Sequence, residues 1–148
     1  MPETLTPDDV VAAAATVEAA LRPVAGRDWS VRAGPLDWDV EKTVTHMIGA
    51  TAKYTLYLAS RCELFTALSV TRWLDATNEE IIDSIVPVAT GPAAVAAVTP
   101  PDVRPYHLTG PSSRAGSGAC VELLVHTDDA SAVWASPSPR PQPCASGC

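Results

Sequence analysis

Apolar positions recur along this chain at spacings of three and four, the period of helices with one buried face. Thr6-Pro7-Asp8-Asp9 supplies a cap, a proline at the first helical position and acids where the helix dipole favours them. Val10, Val17 and Leu21 follow among alanines until Pro23 and Gly26 interrupt the pattern, which predicts a first helix over about 7–22. After a loop carrying Trp29, Gly34, Pro35 and Trp38, Asp39 is placed to cap a second helix. Its stripe is Val40, Val44, Met47, Ile48, Thr51, Tyr54 and Leu58, and it should run to about Arg61.

A third helical stretch is predicted over 77–98, with Thr77 or Asn78 near its cap and Glu79 and Glu80 complementing its dipole. Pro87 and Gly91-Pro92 must kink or split it. Residues 99–118 are rich in Pro, Gly and Ser and read as one long connection. A fourth helix is expected over about 117–134. Beyond it ASPSPRPQPCASGC has no apolar period and reads as a flexible tail. No alternating β-branched run competes with these patterns. The expected architecture is all-α: a four-helix up-and-down bundle over 1–134, with a long loop before its last helix, and a tail over 135–148. In such bundles functional side chains project inward from facing helices.

Composition narrows the choice of partners. With 148 residues, 47% of them hydrophobic, the chain suits one domain with a real core. A net charge of −7 opposes a nucleic-acid backbone or an anionic membrane as main partner, since both require a positive footprint. No basic-then-apolar leader opens the sequence, and no uninterrupted apolar run reaches the roughly 18 residues of a membrane span, so a cytoplasmic location is expected. Cys62, Cys120, Cys144 and Cys148 form no CxxC pair, and no disulfide framework is expected.

The chemistry concentrates in VELLVHTDD, residues 121–129. At 100° per residue Ala119, Glu122, His126, Asp129 and Val133 share one face of the fourth helix, flanked by Leu123 and Ala130. A carboxylate and an imidazole at i and i+4 can bind one cation together, and a metal would offset the cost of burying the charge. The same pair also serves as an ordinary i, i+4 contact on a solvated face, and only a third ligand separates the two readings. His46 lies on the shoulder of the second helix's stripe, on the side of Thr43, Ala50 and Tyr57, where it either enters a cleft or stays half-exposed. His107, in RPYHLTG, either lines the cleft or makes a loop hydrogen bond. Trp29 and Trp38 read as core or loop anchors.

Two segments, LDWDVEKTVTHMIGATAKYTLYLASR and RPYHLTGPSSRAGSGACVELLVHTDDA, resemble the DinB-like superfamily. More narrowly, they are similar to the N-terminal metal-binding domain of mycothiol-dependent maleylpyruvate isomerases. The resemblance implies a divalent metal, zinc in the usual case, held by His46, Glu122 and His126, with Asp129 behind an imidazole. It also implies mycothiol or a related low-molecular-weight thiol as cofactor, an electrophilic small-molecule substrate, and thiol transfer or isomerisation as the reaction. A non-catalytic metal- or ligand-binding module and a structural homodimer with vestigial metal residues are the other readings open to the same residues.

Overall fold

The structure is a computed structural model that describes residues 5–60, 75–100, 102–103, 106–107, 110–111 and 117–134. Its elements are α1 (Pro7–Leu21), which continues into a 3₁₀ turn at Arg22–Val24, α2 (Val40–Ser60), α3 (Asn78–Asp83), α4 (Ile85–Val98) and α5 (Ser117–Ser131), which ends in a 3₁₀ turn at Ala132–Trp134. Between α4 and α5 two two-residue strands, β1 (Tyr106–His107) and β2 (Gly110–Pro111), pair antiparallel. Among the described residues the protein is therefore all-α apart from this small hairpin, which breaks the connection expected over 99–118. The tail from 135 onward, and with it Cys144 and Cys148, lies outside the described residues, as does Cys62.

The helix starts follow their local chemistry. At α1 the Asp9 carboxylate accepts from both the backbone N–H and the hydroxyl of Thr6. At α2 Asp39 accepts from the Lys42 N–H at 2.7 Å. At α3 Thr77 and Glu80 cap each other reciprocally, with Thr77 N donating to Glu80 Oε2 at 2.7 Å and Glu80 N to Thr77 Oγ1 at 3.2 Å.

The third helical stretch breaks, but before both of the sites expected to break it. Helix α3 ends at Asp83, and α4 begins at Ile85 with Val88 N donating to Ser84 O at 3.0 Å. Pro87 is the cause, acting one turn upstream of itself: having no N–H, it cannot close an i→i−4 bond onto Asp83. Pro92, by contrast, is accommodated inside α4.

Helices α1 and α2 each pack against both α4 and α5. Val17 and Leu21 of α1, Val44 and Met47 of α2, Ile85 and Ala89 of α4, and Ala119 and Leu123 of α5 meet in one buried cluster. Trp29 joins them and its indole N–H donates to Val24 O at 3.1 Å, an anchoring role for this residue. Asn78–Val98 is long and apolar enough, by length and composition, to cross a membrane, and 33% of its most apolar window is buried inside the protein. The sequence has no charged residue between Asp83 and Asp102; scattered Ser, Thr, Pro and Gly hide this in a search for unbroken apolar runs.

Candidate metal centre

The site is built where α2 faces α5. On α5 the buried side of the helix is formed by Ala119, Cys120, Leu123, Thr127 and Ala130. Glu122, His126 and Asp129 occupy the shoulder of that face, neither inside the core nor on the outer surface. The apolar side chains next to them in sequence, Val121, Leu124 and Val125, turn outward and are exposed. On α2, Thr43, Val44 and Met47 are buried and His46 stands at their edge.

Contacts beside the histidines fix the helix pair. Thr127 Oγ1 lies 2.6 Å from Leu123 O and 3.5 Å from Met47 Sδ. A hydroxyl has one proton, so it donates to the carbonyl and packs against the sulfur. Thr127 follows His126 in sequence and Met47 follows His46, so this buried contact sets how the two imidazoles approach each other. At the start of α5, Gly118 gives Tyr54 room: a Cβ there would collide with the phenol oxygen. A side chain at that position would force either the buried Tyr54 phenol or the first turn of α5, with Glu122 one turn later, to move.

His46, Glu122 and His126 converge. One ligand atom from each can be chosen so that all lie within 4.8 Å of one another, and this group could hold a metal ion. Glu122 Oε2 is 3.2 Å from His126 Nε2 and 3.5 Å from His46 Nε2. Two ligands each about 2.0–2.2 Å from a common centre and at the tetrahedral angle stand about 3.3–3.6 Å apart, so the two carboxylate–imidazole separations are close to those of zinc ligands. The imidazoles are edge to face, with centroids 5.1 Å apart and planes at 90°.

Asp129 Oδ2 approaches His126 Nδ1 to 3.4 Å, and that buried nitrogen makes no hydrogen bond. The arrangement needs only a small turn of either side chain to put a carboxylate behind the imidazole, the usual support for a metal-binding histidine. Tyr54 also senses the site. Burial first, then the Glu122 carboxylate and Tyr57, push its phenol well above the ordinary range, so it stays a neutral O–H. Burial, and after it Asp9, raises the Cys120 thiol, which removes it from nucleophilic chemistry near neutral pH.

The other sequence-derived candidates fall elsewhere. Tyr57 is buried in the core against Tyr54, with ring centroids 6.2 Å apart. His107 is on β1 opposite Gly110, and its side chain lies outside the described residues.

A residue that sequence reasoning set aside as an anchor belongs to the site. The Trp38 ring lies 4.9 Å from that of His46 and 6.4 Å from that of His126. The loop before α2 is tied down around it: Ala33 N donates to Trp38 O at 2.9 Å, and Arg32 holds Leu36 O and Asp37. Gly34, at φ +47°, lets the same loop approach α5, where a Cβ would stand 3.1 Å from Asp129 O. Lys42 Nζ sits 4.8 Å from the Trp38 ring centroid. Helical spacing carries no signal for Trp38, because it precedes α2 and its place is set by the loop. No protein-family model, curated protein or solved structure matches the chain.

Proposed function

We propose that this protein is a DinB-like four-helix bundle that binds a divalent cation, zinc by preference, through His46, Glu122 and His126. We propose further that it acts on small electrophiles with a low-molecular-weight thiol as a transferase or isomerase. The observation that carries the metal reading is the convergence of two imidazoles and a carboxylate from two facing helices, with the carboxylate at separations from each imidazole that suit tetrahedral ligands. Three protein ligands leave one position for an exogenous group, the pattern of a catalytic rather than a structural site. A bound cation would supply Lewis acidity and favour the deprotonated form of a thiol placed beside it. The roles of the chain's own residues follow from their places. Glu122 contributes the negative charge that balances the dication, Asp129 orients His126, and Tyr54 stays a neutral hydroxyl in the field of Glu122. The thiol-dependent activity is supported by the sequence resemblance alone.

Metal analysis of protein purified without an affinity tag tests the first step, with about one equivalent of zinc per chain expected for a three-ligand site. Turnover of an electrophile that requires both bound metal and added mycothiol is expected at the second step. Stoichiometric metal without thiol-dependent turnover would identify a binding module instead.

A further inference from the structure

Of the three side chains of the cluster His46 is the most exposed, at 37%, against 19% for His126 and 15% for Glu122. A ligand therefore reaches the site past His46. The residues beside that approach are Trp38, whose ring touches the His46 imidazole, and Lys42, one helical turn before His46 on the same side of α2.

A lysine in this position is unfavourable for holding a cation alone, since a dication bound to His46 and the Lys42 ammonium would repel each other. Among the described residues Arg22 pairs with Glu18 and Asp83, and Arg32 with Asp37. Lys42 has no carboxylate within ion-pair distance among the described residues, and its ammonium is held over the Trp38 ring instead. The loop that carries Trp38 is fixed by its own hydrogen bonds, so this pair is a preformed surface.

We infer that Trp38 and Lys42 form a recognition wall for a small anionic ligand that occupies the open position of the His46–Glu122–His126 site. Trp38 packs against the apolar part of that ligand, and Lys42 meets its negative charge. The inference rests on the metal reading and extends it: it names the charge of the exogenous ligand and the residues that select for it.

The test uses calorimetric titration of the zinc-loaded full chain at low salt with three thiols of similar size. These are 3-mercaptopropionate, neutral 2-mercaptoethanol and cationic cysteamine. Binding should weaken in that order, with about a two- to fivefold advantage of the acid over the alcohol, the range of a solvent-accessible charge pair. The dication itself also favours the acid, so the decisive comparison is with Lys42→Gln, which should narrow the spread while binding zinc normally. Lys42→Glu should narrow it further. Trp38→Phe should weaken all three probes and keep their order. An unchanged spread in Lys42→Gln, with zinc bound, overturns the role of Lys42 and leaves the metal reading standing. Unchanged affinities in Trp38→Phe overturn the role of the indole. Failure of the wild-type chain to take up zinc overturns the metal reading and this inference together.

Discussion

Thr127 Oγ1 and Met47 Sδ meet at 3.5 Å inside the protein, and each belongs to the residue that directly follows a histidine of the candidate metal centre. Core packing and ligand placement are thus one problem at this point. Met47→Ala should cost about 2–5 kcal/mol, the range for truncating a buried methionine, and should lower zinc affinity as well by letting α2 and α5 shift. Met47→Leu conserves volume and should cost less than about 1.5 kcal/mol. Urea unfolding of both variants, each with a zinc titration, checks the coupling. Equal zinc affinity in the alanine variant would show that the histidine geometry does not depend on this contact.

A metal that binds only the folded chain stabilises it by mass action, by about 2.7 kcal/mol at a free concentration 100 times its dissociation constant. For a chain of this size the melting temperature should rise by roughly 5–10 °C. His126→Ala should abolish the rise, and truncation after Trp134 should leave it intact. Loss of the rise on truncation would assign a ligand role to Cys144 or Cys148.

Gly118 puts two effects in opposition. Alanine is favoured over glycine in a helix interior by about 0.5–1 kcal/mol. Here, however, its Cβ would collide with the Tyr54 phenol oxygen and Cζ, so the buried phenol or the first turn of α5 has to move. Overpacking of this kind costs about 1–3 kcal/mol, so Gly118→Ala should be destabilising on balance. Because Glu122 is one turn further along, zinc affinity should fall too. Thermal unfolding with and without zinc measures both effects.

The parts of the fold set by local chemistry were legible in the sequence. Thr6-Pro7 starts α1, Asp39 caps α2, and the stretch expected over 117–134 is α5 with its terminal 3₁₀ turn. The split expected from Pro87 falls at Ser84, because a proline disrupts the hydrogen bond that reaches back one turn and its effect lies upstream of itself. In VELLVHTDD the helical period separates inner from outer positions, but it cannot tell which of several apolar residues a neighbouring helix covers. Leu123 is buried while Val121, Leu124 and Val125 are not, because α1 and α2 reach only one side of α5. That Glu122 and His126 share one side of α5 could be read from their i, i+4 spacing. Trp38 could not be assigned to the site in the same way, because its contact with His126 depends on a loop held against α5 through Gly34.

Acid should loosen the helix starts. Hydrogen bonds from Thr6 hold the Asp9 carboxyl below its ordinary range, and those from Thr77 do the same for Glu80. A carboxyl whose folded-state pKa is depressed contributes stability that is present above its unfolded-state value and is lost as pH falls through the folded-state value. Melting temperature should therefore decline on acidification through and below the ordinary carboxylate range. Asp9→Asn and Glu80→Gln should start lower at neutral pH and decline less steeply. Parallel curves for wild type and both variants would show that these caps contribute nothing to the pH dependence.

Glu122→Gln gives the most direct test of why a carboxylate stands on this shoulder of α5. The substitution keeps the volume and removes the charge, and the two effects have opposite sign in the absence and presence of metal. Without metal, a neutral amide beside His46 and His126 avoids the desolvation cost of a half-buried carboxylate, so the apo variant should be as stable as wild type or slightly more so. With metal, the amide is a poor ligand and supplies no charge to balance the dication, so zinc affinity should fall and the zinc-dependent rise in melting temperature should shrink. Asp129→Asn should act more mildly, lowering affinity by about 10- to 100-fold, as expected for a group that orients a ligand without binding the metal. Zinc titrations followed by thermal unfolding separate the three proteins. If Glu122→Gln binds zinc as tightly as wild type, the carboxylate is no ligand, and the 3.2 and 3.5 Å approaches to His126 and His46 are those of an ion pair that forms when an imidazole is protonated.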